Sequence, residues 1–244
     1  MKLIGITRVR NEAGIIRNTL DHVAGFVDKI FVYDDASEDS TFEICLSHKA
    51  VSRIFSNDIW DPTPAGRARA EGTHRQKLYE AAVEDGADWV YCFDADEYLE
   101  TFKLDWSADA YYFRLFDFYI TEEDSHLPDE GYLKRKWMGP EYRDIPMLFK
   151  VGPKLKFTQR VPRGIGPDMR WGGFVKHYGK AISVLEWEKT CIYYTDIRWR
   201  DRMPELRKRW ESRKGKAVHT VSDFGNELIT WEDKMNDKVI CNIP

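Results

Sequence analysis

The chain has little cysteine, and none of it is paired. Cys45, Cys92, Cys191 and Cys241 stand far apart with no CxxC motif, which fits reduced structural thiols and a cytoplasmic protein. Long apolar runs are also missing. None approaches the ~18 residues of a spanning helix, so no membrane span is expected. The opening MKLIGITRVRNE has too short an apolar run for a signal peptide. There is no excess of positive charge: the net charge of −4 argues against a general nucleic-acid-binding coat. Finally, there is no internal repeat, no low-complexity tract and no glycine-rich phosphate loop after the first apolar run, where RVRNEAG stands instead.

What is present suits one large domain, or one domain with an appendage, in 244 residues. Residues 2–9 and 29–35 read as buried strands, and 51–55 as a third. Between them Ile15, Ile16, Leu20 and Val23 recur at helical spacing. Asp39 or Ser40 caps a second helix with Phe42, Ile44, Cys45 and Leu46 on its apolar side. This alternation predicts an α/β fold, a Rossmann-like, mostly parallel sheet flanked by helices. NDIWDPTPAGRARAEG reads as a loop, followed by a helix over 73–84 whose apolar face is Leu78, Ala81, Ala82 and Val83, with Gly86 as its C-cap. A buried strand over 89–93 comes next, and strand-like runs recur at 110–120 and 147–150. The polar stretch 121–142 reads as a mobile loop. Residues 1–185 are expected to form the main domain, with a donor half up to about residue 100 and an acceptor half over 101–185. Residues 186–244 are expected to be a small helical C-terminal appendage.

The sharpest chemical feature is Asp94-Ala95-Asp96-Glu97 at the end of the 89–93 strand. Three carboxylates in four residues at the end of a buried strand are costly unless something positive sits among them. A hard divalent cation, Mg²⁺ or Mn²⁺, meets that need and bridges carboxylates to phosphates. Asp34-Asp35 ends the second strand, and such carboxylates accept hydrogen bonds from a base N–H or a ribose hydroxyl. Asn11-Glu12 follows the first strand. In a parallel sheet all three clusters meet at one edge, where open α/β sheets bind ligands.

RNEA at 10–13, VYDDASEDST at 32–41 and WVYCFDADEYLE at 89–100 together resemble the family 2 glycosyltransferases of the GT-A fold. The resemblance covers about the first 100 residues. It implies a nucleotide-diphospho-sugar donor, UDP-linked, with a divalent metal and inversion at the anomeric carbon. It also implies site residues. Thr7 and Glu12 would border the nucleotide, Asp34 or Asp35 would read the uracil, and Arg75 would contact the nucleotide. Asp94 would face ribose or sugar, and Asp96 would bind the metal. His177, in His177-Tyr178-Gly179, would be a third ligand, since imidazole suits Mn²⁺. One departure stands out: Val161-Pro162-Arg163 occupies the place of the relatives' glutamate, so the base for the acceptor's proton falls to another carboxylate. Asp144 leads, ahead of Asp168 and Glu97.

The acceptor is read as a glycan or another hydroxyl compound. Arg198–Lys216 holds nine Lys or Arg against three acids and interleaves them with Trp199 and Trp210, so a base in DNA is a conceivable acceptor. A solvated helix with its tryptophans packed inward is the favoured reading. Two other functions stay open: a nucleotidyltransferase, against which the missing glycine loop counts, and a non-catalytic sugar-nucleotide or polysaccharide-binding protein.

Overall fold

A computed structural model describes residues 1–102, 104–196 and 204–236. The N-terminal half alternates as expected: β1 (Leu3–Val9), α1 (Ile16–Val23), β2 (Lys29–Asp35), α2 (Thr41–Ser47), β3 (Val51–Asn57), α3 (Pro64–Glu84), β4 (Trp89–Cys92) and β5 (Glu97–Phe102). Then come β6 (Ala110–Phe118), a 3-10 turn (Asp129–Lys134), β7 (Trp137–Lys150), β8 (Met169–His177), α4 (Val184–Asp196), α5 (Pro204–Glu211), β9 (Ile229–Thr230) and α6 (Trp231–Asn236). The strand order is β3-β2-β1-β4-β7-β6-β8-β5, with β9 paired to β7. β1 pairs in parallel with β2 and β4, β2 with β3, and β7 runs antiparallel to β4. The fold is mixed α/β, as the alternation predicts. Among the described residues no helix is long and apolar enough to cross a membrane.

Two compact units divide the chain. One comprises residues 1–113 and 144–174, the other residues 114–143 and 175–244. The core of the first unit is built on strand alternation. Ile4 and Ile6 of β1, Phe31 and Tyr33 of β2, and Val90 and Cys92 of β4 pack with Leu78, Tyr79, Ala81 and Ala82 of α3. Of the anticipated faces, Ile15, Ile16, Leu20 and Val23 are all buried, whereas Val83 and Leu46 are exposed.

The stretch read as a loop before α3 is half helix. Its proline and threonine are start signals: Thr63 Oγ1 accepts the Gly66 N–H at 3.0 Å, and the helix begins at Pro64. Gly72 lies inside it because a Cβ there would come within 2.7 Å of the Thr158 backbone. Gly72→Ala therefore costs about 1–3 kcal/mol by forcing α3 away from the 158 segment, read as a lower midpoint in urea unfolding.

In the second unit the stretch expected to be a mobile loop is pinned. Arg135 is 3% exposed and its guanidinium donates to the carbonyls of Asp124, Leu127, Ala181 and Ile182, with Asp124 Oδ1 at 3.2 Å. One buried cation thus supplies the donors that water would otherwise give to four carbonyls. Trp187, Cys191 and Ala217 form a small core with Trp210 against it, so Trp210 packs inward. Trp199 and residues 197–203 lie outside the described residues. Cys45, Cys92 and Cys191 are buried free thiols; burial pushes Cys45 up to about 12 and Cys92 to about 11.

Candidate functional site

The crossovers from β1 through α1 to β2, and through α2 to β3, run outward on one side of β1. The next, through α3, returns to β4 on its other side. The chain turns away from this point in both directions, which opens a crevice at the C-terminal ends of β1 and β4. Thr7, Arg8, Asp34, Asp35 and Asp94 all stand at this edge.

The two aspartates of β2 divide. Adjacent residues on a strand point to opposite faces, so Asp34 and Asp35 approach the edge from opposite sides of the sheet. Asp35 joins the α3 face, where Arg8 Nη1 lies 2.7 Å from its Oδ2. From there carboxylates and guanidiniums alternate across the edge. Arg8 reaches Glu71 at 2.9 Å, Glu71 reaches Arg75 at 2.6 Å, Arg75 reaches Asp94 at 2.8 Å, and Arg160 reaches Asp94 and Glu97 at 2.5 Å each. Arg75 is 2% exposed, so it is not a solvated helix arginine. Burial works to raise the Asp94 carboxyl, but Arg160 and Arg75 outweigh it and hold Asp94 far below the usual carboxylate range.

His74 of α3 belongs to the same face. Its ring stacks on Tyr33 at 3.8 Å between centroids, and its Nδ1 lies 3.8 Å from Asp35, beyond hydrogen-bond reach. Burial, with Arg8 and Arg75 beside it, pushes the imidazole down to about 4 although Asp35 opposes this. A depressed histidine favours the fold while it is neutral, so its contribution is full above about 6.5 and lost as pH falls toward 4. His74→Gln should remove about 3 kcal/mol of acid sensitivity between those values. Urea unfolding of both proteins at pH 7 and pH 4.5 checks this; parallel losses in both would refute it.

Asp34 lies on the opposite face. Its Oδ1 accepts the Ser37 N–H at 2.8 Å, while its Oδ2 and the Thr7 hydroxyl are buried with no protein partner. The two loops above them are laced together. Asn11 N–H donates to Ser37, Glu12 N–H to Thr41 at 2.7 Å, Ala13 N–H to Asp39, and the Glu38 N–H to Asn11 Oδ1. Asn11 and Ala36 pay for this lacing with φ of 55° and 54°. The main chain of Glu12 is thus part of the frame. Asp39 Oδ1 accepts the N–H of Thr41, the first residue of α2, at 3.0 Å and takes its hydroxyl as well, so Asp39 caps this helix as expected, whereas Ser40 makes no side-chain cap.

The carboxylate cluster after β4 also divides. Glu97 opens β5, is 1% exposed, and has both oxygens on Arg160 while also accepting the Asp94 N–H at 3.0 Å. The positive partner expected among the three carboxylates is therefore, for Asp94 and Glu97, a guanidinium. Among the described residues no three His, Cys, Asp or Glu side chains are grouped to hold a metal ion. Mg²⁺ needs no such cage, since it binds through one or two carboxylates with water and substrate phosphates completing the shell. Asp96 lies partly buried at the tip of the turn.

The remaining anticipated residues stand elsewhere. Asp144 is exposed and lies within β7 rather than before a strand. His177 ends β8 in the second unit, with Nδ1 2.6 Å from Asp117 Oδ1. Arg163 is exposed, and its main chain pairs with Lys156. Arg160, three residues earlier, is the arginine that reaches the carboxylates. Arg8, Glu71, His74 and Arg160 escaped sequence reasoning. Only the i, i+4 spacing of Glu71 and Arg75 on α3 could have signalled one of these links.

No family model matches the chain. The uncharacterized proteins Rv3786c of Mycobacterium tuberculosis and Mb3815c of Mycobacterium bovis are each 28% identical over 193 residues, or 77% of this chain. The chain spans only 41% of the length of these relatives. Among solved structures, glucosyl-3-phosphoglycerate synthase of Mycobacterium tuberculosis, in complex with Mg²⁺ and UDP, aligns with a TM-score of 0.29. The identity is 19%, over 40% of this chain and 34% of that one. A 4-diphosphocytidyl-2C-methyl-D-erythritol synthase aligns at 0.36 with 11% identity, over 61% and 74% of the two chains. HddC from Yersinia pseudotuberculosis aligns at 0.36 with 10% identity, over 79% and 99%. Scores this low carry no activity across to this chain.

Proposed function

We propose that this chain is a glycosyltransferase that uses a nucleotide-diphospho-sugar, with UDP as the nucleotide, and passes the sugar to an acceptor hydroxyl with inversion. The observation that carries this reading is the meeting of three motifs at one sheet edge. Thr7–Glu12, Asp34–Asp35 and Asp94–Asp96 end the neighbouring strands β1, β2 and β4, on either side of the point where the chain reverses direction. The buried Thr7 hydroxyl and Asp34 Oδ2, without protein partners, suit a ligand or ordered water that supplies them.

In this reading Asp34 and the Asp35 end of the ion chain border the base and ribose. Asp94, fixed by Arg75 and Arg160, accepts from a hydroxyl of ribose or sugar, and its low proton affinity keeps it an acceptor. Asp96 would hold Mg²⁺ or Mn²⁺, which would supply charge neutralisation to the departing diphosphate. Arg160 stands beside Asp94 as a further source of positive charge. Asp144 is kept as the base for the acceptor's proton. His177, in the second unit, is not used.

A thermal-shift series with UDP, other nucleotides and UDP-sugars, with and without Mn²⁺, tests the proposal. Metal-dependent stabilisation by UDP that is lost in Asp96→Ala supports it, and no response to any nucleotide sinks it. Mn²⁺-dependent release or transfer of sugar separates a transferase from a binding protein of the same fold.

A further inference from the structure

The basic run of the sequence ends in the second unit, where part of it meets a second group of charges. Asp223 is 5% exposed in its side chain and draws three cations: Lys180 Nζ at 2.5 Å, Arg213 Nη2 at 2.5 Å and Arg209 Nη2 at 3.4 Å. Lys180 also reaches Asp117 at 2.7 Å, and Arg143 reaches Asp117 at 3.1 Å. Arg143 Nη2 stands 3.1 Å from His177 Nδ1.

Four permanent cations thus share two carboxylates. Glu141, in the same unit, is spent on neutral partners, Ser222 and Asn226. Burial works to raise Asp117 and Asp223, yet His177 with Lys180 and Arg143 around the first, and Lys180 with Arg213 and Arg209 around the second, keep both below the usual range, so both are charged. Two positive charges are left over in a partly desolvated cluster, where like charges repel more strongly than in water. A self-contained structural ion network would balance. This one does not, and its surplus is open to solvent at two places: the Arg143 and Arg209 side chains are 46% and 44% exposed, each tied along one edge only. A guanidinium fixed on one side and free on the other is ready to fork onto an oxyanion at little further entropic cost.

We propose that this cluster in the second unit is a binding site for a small dianionic group, a phosphate monoester, gripped by Arg143 and Arg209 with Lys180 and Arg213 behind them. The surplus of two charges matches that dianion. A nucleic-acid backbone fits less well. Asp117 and Asp223 are embedded among the cations and repel a polyanion, and Trp210, the tryptophan of the run that the structure describes, is packed inward and so is not offered to bases. The site is independent of the donor reading.

The probe is inorganic phosphate, titrated by calorimetry and followed by ³¹P line broadening on the full chain at low ionic strength. Millimolar binding is expected, weakened at least tenfold in Arg143→Gln and again in Arg209→Gln, and unchanged in Asp96→Ala and in a saturating UDP-sugar, which has no terminal phosphate dianion. Both variants change exposed side chains, and an unaltered melting curve confirms that they fold. No phosphate binding, binding unchanged in both arginine variants, or displacement by a UDP-sugar would each overturn the assignment. So would duplex DNA that binds with a steep salt dependence and excludes phosphate.

Discussion

Arg75→Met should cost the protein about 3–5 kcal/mol of stability, the range for removing one partner of a buried ion pair. That is a large share of the 5–15 kcal/mol that holds a typical domain together. The size follows from where Arg75 stands. Its guanidinium bridges Glu71 at 2.6 Å and Asp94 at 2.8 Å, and its side chain is 3% exposed. Without it two carboxylates face each other across α3 and β4, and Arg8 and Arg160 at the far ends must serve them alone. Methionine fills much of the volume, so the loss reports charge and not a cavity. Arg75→Lys should recover less than half, because a single ammonium cannot fork onto both carboxylates. Urea unfolding at pH 7 measures all three proteins.

The pH dependence adds a signature. Asp94 is held low by Arg160 and Arg75, so its contribution is full above about pH 4 and is lost as pH falls below that. In Arg75→Met the acid limb should be shallower, because less of that contribution is left to lose. A limb of wild-type steepness would mean that Arg160 alone holds Asp94. The His74 effect lies at higher pH, between about 6.5 and 4, so the two can be separated in one titration.

The strands and their order of appearance were legible in the sequence because apolar runs such as KIFVYDD and WVYC have no other use in a chain of this composition. The meeting of the three acidic clusters at one edge followed from the parallel sheet alone. Other features depended on geometry that spacing does not encode. Asp34 and Asp35 read as one cluster in the sequence, although the two-residue period of a strand already separates them. The proline and glycine before α3 read as a loop, although Thr63-Pro64 is a helix start and Gly72 is required by the Thr158 backbone rather than by a turn. The segment before β7 read as mobile because its polar composition hides Arg135, whose partners lie as far away as Ile182. Arg160 was hidden in the same way. It lies 66 residues from Asp94, and an arginine in a loop carries no sign of the carboxylates it will meet. Long-range ion pairs are made by topology, and one sequence does not show them.

The same distinction sets the largest effect on activity. Asp94 and Asp96 are two residues apart, yet Asp94 is bound by two arginines while Asp96 is the carboxylate proposed for the donor's metal. Asp96→Asn keeps the volume and removes the charge. If Asp96 carries the cation, turnover should fall by about three orders of magnitude, the equivalent of the several kcal/mol that a metal contributes to a departing phosphate. Folding stability should change by less than 1 kcal/mol, as for a partly buried residue at the tip of a turn. Asp94→Asn should show the opposite balance. It leaves Arg75 and Arg160 short of a carboxylate in a half-buried site, so stability should fall by about 2–3 kcal/mol, with the Kd for UDP rising as the edge loosens. Steady-state turnover with a UDP-sugar, paired with urea unfolding, reads both quantities for each variant. If Asp96→Asn keeps turnover while Asp94→Asn abolishes it without loss of stability, the two roles are reversed, and the cation must displace Arg75 or Arg160 to bind.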